Sequence, residues 1–203
     1  IPPPPCQADA AGQDRTMPSF FLAFLAVAMA AFGGRDQMLM ARLSARHGSS
    51  GVLLTVAWLA SAMTAAFAAW AGFTLTALLP PAAKSMLAAI ALVMAGAEMA
   101  IPWRWRRMEE PTRSAVATLI VLVAAQIGDG ARFLVLAIAV ATGGPVLAAL
   151  GGALGGGVAL TLGWMQGEAL VGAGHLRRLR LVIGAVLLLA GIVIGLLARG
   201  IID

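Results

Sequence analysis

Two short stretches place ionisable side chains inside otherwise apolar runs. The first is Ala31-Phe32-Gly33-Gly34-Arg35-Asp36-Gln37; the second, 95 residues on, is Gln126-Ile127-Gly128-Asp129-Gly130-Ala131-Arg132. A charged side chain within a lipid-spanning segment is costly and marks a pathway for a substrate or ion, or a coupled pair. Positions three apart share a helix face, so regular helices would group Ala31/Gly34/Gln37 and Gln126/Asp129/Arg132. Asp36 lies two residues from Gly34 and would point about 200° away in a regular helix. It joins the site only if Gly33-Gly34 break the helix, which glycine pairs can do. Asp129 and Arg132 are close enough in such a helix for an intrahelical ion pair.

The chain that must position these groups has 203 residues, 61% of them hydrophobic and 11% charged. Its mean hydropathy is +0.92, and a soluble domain carries roughly a quarter charged residues. A bilayer core needs about 20 apolar residues per helix, and several such runs are present. The chain therefore reads as an all-α polytopic membrane protein whose first partner is the lipid bilayer. The net charge of +5 sits at helix ends, where it sets orientation, and nothing resembles a nucleic-acid-binding module. The one cysteine, Cys6, excludes a disulfide framework and a thiolate cluster. Both histidines, His47 and His175, fall in expected loops. No nucleophile–base pair is present, so an enzyme is the least expected class, and no resident cofactor is implied.

Residues 1–16 are polar and proline-rich and read as a disordered extension; Met17, directly before the first apolar run, reads as the natural start. Six spans follow, at about 18–44, 51–75, 83–101, 114–141, 145–166 and 179–198. They divide into a first three-helix repeat (17–101), a cytoplasmic linker (102–113) and a second repeat (114–203). Short turns such as Leu79-Pro80-Pro81 and Thr142-Gly143-Gly144-Pro145 join the spans. The linker's Trp103-Arg104-Trp105-Arg106-Arg107 suits a membrane–water interface. Nine loop cations, Arg180 among them, fall on one side, against Arg15, Lys84 and Arg199 on the other. The positive-inside rule makes the first side cytoplasmic and both termini periplasmic, with the bacterial inner membrane as the expected location.

The 95-residue offset aligns the halves without a gap, placing Gly33 on Gly128, Gly72 on Gly167, Gly96 on Gly191 and Leu39 on Leu134. Three spans per half is an odd number, so the halves would be inverted repeats, which place a substrate site near the midplane where they meet. Small-residue spacings such as Gly151/Gly155, Gly152/Gly156 and Gly191/Gly195 let helices approach closely. They are expected to pack span 5 on spans 1 and 4, with a homodimer interface as the alternative. Glu98 is expected to pair with Arg104 or reach water, Glu168 to lie near Arg177 and Arg178, and Thr64 and Thr161 to bond carbonyls of their own helices.

The two motifs, the turn Arg46-His47-Gly48 and the Leu79-Pro80 turn together resemble the Gdt family of Golgi and bacterial manganese/calcium exchangers, over about residues 18–198. That family carries Glu-x-Gly-Asp-(Lys/Arg)-(Thr/Ser) once in each half. The resemblance implies a cation transporter, exchanging manganese or calcium for protons, with its site between spans 1 and 4. It implies Asp129, Gln126, Asp36 and Gln37 as oxygen ligands, Asp129 as the proton-coupled carboxylate, and Gly33, Gly34, Arg35, Gly128 and Arg132 as motif scaffold. The motifs depart from the family. Ala31 and Gln126 stand at the Glu positions, Gly34 at the first Asp position, Asp36 and Ala131 at the hydroxyl positions, and Gly130 at the second basic position. Asp36 and Asp129 face Arg35 and Arg132 for a net charge of zero, whereas hard divalent cations want several charged oxygens. The alternatives are a relative with monovalent or neutral cargo, and a non-transporting protein whose charges form structural ion pairs.

Overall fold

The computed structural model describes residues 5–101, 114–171 and 175–201. Among the described residues there is helix and turn and no strand. The helices are α1 (Pro5–Ala31), α2 (Arg35–His47), α3 (Gly51–Thr76), α4 (Pro81–Ala100), α5 (Ala115–Ile127), α6 (Gly130–Thr142), α7 (Pro145–Gln166), the short α8 (Glu168–Val171) and α9 (His175–Ala198). The linker 102–113, with its tryptophan–arginine anchor and the Arg104 expected to pair with Glu98, lies outside the described residues.

Four helices, α3, α4, α7 and residues 176–198 of α9, are long and apolar enough to cross a membrane. Their outer faces agree: Phe67, Trp70, Phe73, Val182 and Leu189 are all exposed, a degree of apolar exposure that fits contact with lipid. The interior is built instead from alanine and glycine, as in Ala57, Ala60, Ala65, Ala69 and Gly72 of α3. Apolar side chains gain little by leaving lipid, so close backbone packing and hydrogen bonds must hold the helices together.

Spans 1 and 4 differ from the unbroken helices expected of them. The first is α1 and α2, bent by 61° at Phe32-Gly33-Gly34, and the second is α5 and α6, bent by 62° at Gly128-Asp129. Both breaks close in the same way. Gly34 N–H donates to the Ala31 carbonyl (2.9 Å) and Asp129 N–H to that of Gln126 (3.1 Å), tightening each last turn. The next helix then starts with Met38 N–H on Gly34 O and Phe133 N–H on Asp129 O. Each of these pairs of residues is 95 apart. Gly33 has φ 67°, a left-handed conformation that costs other residues roughly 1–2 kcal/mol.

The halves of each broken helix join different apolar clusters. Ala23, Val27 and Ala30 of α1 pack with Leu134 and Val135 of α6, whereas Leu39, Met40 and Leu43 of α2 pack near Leu122 of α5. The two breaks lie between these clusters. Helix α7 packs against α1, α2, α3 and α6. A Cβ on Gly151 or Gly155 would meet the α1 backbone, and one on Gly152 would meet Val135 of α6, so these glycines serve packing within the chain, as expected. Helix α9 packs chiefly along α4.

At the N-terminus, α1 begins at Pro5 and continues through Pro18, where the composition of 1–16 suggests no structure. The alanine-rich run from Ala8 to Ala11 has high intrinsic helix propensity, which the surrounding prolines and polar residues mask in a composition argument.

Candidate functional site

The breaks bring both motifs together. Asp36 (5% exposed), Asp129 (8%) and Arg132 (5%) are all buried between them. Asp36 reaches this interior because the chain bends at Gly33-Gly34, which releases it from the outward direction of a continuous helix. Asp36 lies in the field of two guanidiniums, Arg132 from the second motif and Arg35 from its own.

The intrahelical Asp129–Arg132 pair does not form. The helix restarts at Gly130 with Asp129 as its N-cap, so the two residues no longer sit on one regular face. Arg132 directs its guanidinium elsewhere. Nη2 donates to Gln126 Oε1 (2.9 Å) and Ser61 Oγ (3.2 Å), and Nη1 to the Gly152 carbonyl (3.4 Å). A guanidinium has no acceptor, so the Gln126 atom facing it must be the amide oxygen. That oxygen also faces the Thr64 hydroxyl at 2.7 Å. Thr64 and Thr161 do bond carbonyls of their own helices, Ala60 and Gly157, and each has a second partner besides.

Gln37 is likewise engaged. Its Oε1 accepts from Gly33 N–H at 2.6 Å, so the third residue of α2 reaches back over the break in the manner of a capping box. Both glutamine oxygens expected as cation ligands therefore face donors of the protein itself. Among the described residues, no three His, Cys, Asp or Glu side chains are arranged to hold a metal ion.

Two residues that sequence reasoning assigned elsewhere complete the site. Glu98 of α4 accepts from Gly130 N–H through Oε2 (2.6 Å), capping α6, while its Oε1 lies 3.8 Å from Arg35 Nη2 at the start of α2. Its neighbour across a small cavity is Asp129. Glu98 thus ties both broken helices to α4. Its position was readable: with Ala91, Ala95 and Met99 it lies on the buried stripe of α4. Arg180 of α9, expected among the loop cations, lines the same cavity with Gly34, Arg35, Glu98 and Asp129. The cavity has room for roughly one water molecule.

Around the crossing stand three carboxylates, Asp36, Glu98 and Asp129, and three guanidiniums, Arg35, Arg132 and Arg180. Chemically this is a charge-balanced site, with three carboxylates set against three guanidiniums at the junction of the broken helices. The fold and site define an all-helical chain with helices suited to membrane integration and two helices broken at the same relative position. Comparison with protein-family models, with curated proteins and with solved structures gives no match.

Proposed function

We propose that the chain is a secondary membrane transporter that exchanges a singly charged cation for protons at the crossing of its two broken helices. The observation that carries this reading is the pair of breaks, closed by equivalent bonds 95 residues apart, with buried carboxylates beside them. Broken helices at the meeting of inverted repeats are where secondary transporters hold substrate and coupling ions. Geometry supports six spans. Two 13-residue halves bent by 62° extend about 33 Å end to end at 1.5 Å per residue, enough to cross a hydrocarbon core of about 30 Å. In this reading the repeats are inverted, the termini are periplasmic, and the membrane is the bacterial inner membrane.

Asp129 and Glu98 are the carboxyls that take part in exchange, because they line the cavity. Asp36 and Arg132 are the buried strut beneath them. A singly charged cargo suits a site whose charges already balance and whose glutamine oxygens already face protein donors. A second reading, manganese or calcium exchange as in the Gdt family that the motifs resemble, is favoured by one observation: Glu98 restores a carboxylate to the crossing.

The test is proton movement in proteoliposomes carrying an internal pH dye. Sodium or potassium gradients are expected to drive it, manganese and calcium gradients are not, and Asp129→Asn is expected to abolish it. Movement driven by manganese alone favours the second reading, and no movement with any of the four cations refutes transport of this kind.

A further inference from the structure

The cavity at the crossing is lined by four charged side chains, Glu98 and Asp129 against Arg35 and Arg180. Arg35 and Asp129 belong to the motifs, and Glu98 is bonded to both broken helices. Arg180 arrives separately, from near the start of α9. Its neighbours Arg177 and Arg178 are exposed, but Arg180 shares the inward stripe of α9 with Leu176 and Leu187, both buried. Its stem crosses to the first break. A Cβ on Gly33 would stand 2.8 Å from Arg180 Cγ and 2.6 Å from Cδ, so glycine at that point leaves the passage through which the side chain enters. Glu98 and Asp129 are the carboxylates that act on it, and its buried Nε has no hydrogen-bond partner.

We propose that Arg180 determines the charge specificity of the site: its guanidinium supplies the positive charge that excludes a divalent cation from Glu98 and Asp129. This rests on reading the crossing as a cation site. The physical basis is direct. A guanidinium keeps its charge across the physiological range, and Coulomb repulsion from it is twice as large for a divalent ion as for a monovalent one at the same distance. Hard divalent cations also require several charged oxygens, and in this cavity two guanidiniums already balance the two carboxylates. Arg180 is the one of the four that can lose its charge without altering a motif or a cap on a broken helix.

The experiment measures thermal unfolding of the full chain in detergent against manganese chloride, at constant ionic strength held with a sodium salt. The unmodified protein is expected to show no saturable shift. Arg180→Met is expected to gain one, with apparent manganese affinity at least about tenfold tighter, or 1.4 kcal/mol. Arg180→Lys keeps the charge and is expected to behave as the unmodified protein. Adding Glu98→Gln to Arg180→Met is expected to remove the gain. If Arg180→Met does not fold, Arg180→Gln carries the same expectation while retaining hydrogen-bond donors. A folded, uncharged variant with no gain in manganese affinity overturns the inference, as does an equal gain in Arg180→Lys. The sodium-driven proton flux of the unmodified protein reports separately on whether the crossing is a cation site.

Discussion

Arg132 is the most demanding side chain in the molecule. It carries five N–H donors and no acceptor, and it is buried where only protein groups can serve it. Gln126, Ser61 and the Gly152 carbonyl meet its terminal nitrogens, and Asp36 and Asp129 supply opposing charge nearby. Removing one partner of a buried pair costs roughly 3–5 kcal/mol, so Arg132→Leu should lower detergent thermal stability by that order. Asp129→Asn, by contrast, leaves every hydrogen bond of Arg132 in place and should change stability by no more than about 1 kcal/mol, near the usual worth of one neutral bond. Equal losses in the two variants would contradict this division into strut and site. Glu98→Ala should cost about 1–3 kcal/mol, because the Gly130 N–H is left without its acceptor. The motif charges were legible in the sequence because they interrupt apolar runs. Glu98 and Arg180 were not, because each sits near a span end, where a charge ordinarily reaches water. Only the helical spacing of their buried neighbours betrays them.

At the scale of elements, the apolar runs were plain from composition, and the helix ends fall within a few residues of expectation except at the start of α1, which begins at Pro5. The bends were not. A continuous run of apolar residues looks the same whether or not its helix breaks, and Gly33-Gly34 and Gly128 signal only that a break is sterically cheap. Each break is held by a side-chain cap, Gln37 of the following helix on Gly33 and Glu98 of α4 on Gly130. The glycines of α7 act differently, by proximity. A Cβ on Gly156 would lie 2.6 Å from Ser61 Oγ and 2.9 Å from Arg132 Nη2. Gly156→Ala should therefore cost about 1–3 kcal/mol through overpacking and disturb the Arg132 network. Gly51→Ala, with nothing within 4 Å of its Cβ, should leave the melting temperature nearly unchanged. The comparison of the two melting curves checks whether close approach, rather than loss of glycine itself, is responsible.

For the whole molecule, six spans make a sharp prediction of topology. If each bent pair crosses the membrane, Ser49 and Ala141 lie on opposite sides, and Leu78 lies on the side of Ala141. If each pair re-enters and returns, Ser49 and Ala141 share a side. Single cysteines at these three positions, in a Cys6→Ser background, should be labelled by an impermeant maleimide in intact cells at positions 78 and 141 but not at 49. Labelling of 78 alone would contradict six spans.

The pairing of α4 with α9 has a consequence for movement. Gly96 and Gly184 bring the two backbones into contact, and Gly191 seats α9 against Ala89 and Val93 of α4, so the two helices form a close-packed pair. One carries Glu98 and the other carries Arg180. A rocking of this pair away from the broken helices would withdraw a negative and a positive charge in a single stroke. The cavity would open while its net charge stayed constant, and no uncompensated ion would be left behind in the membrane at any point of the stroke.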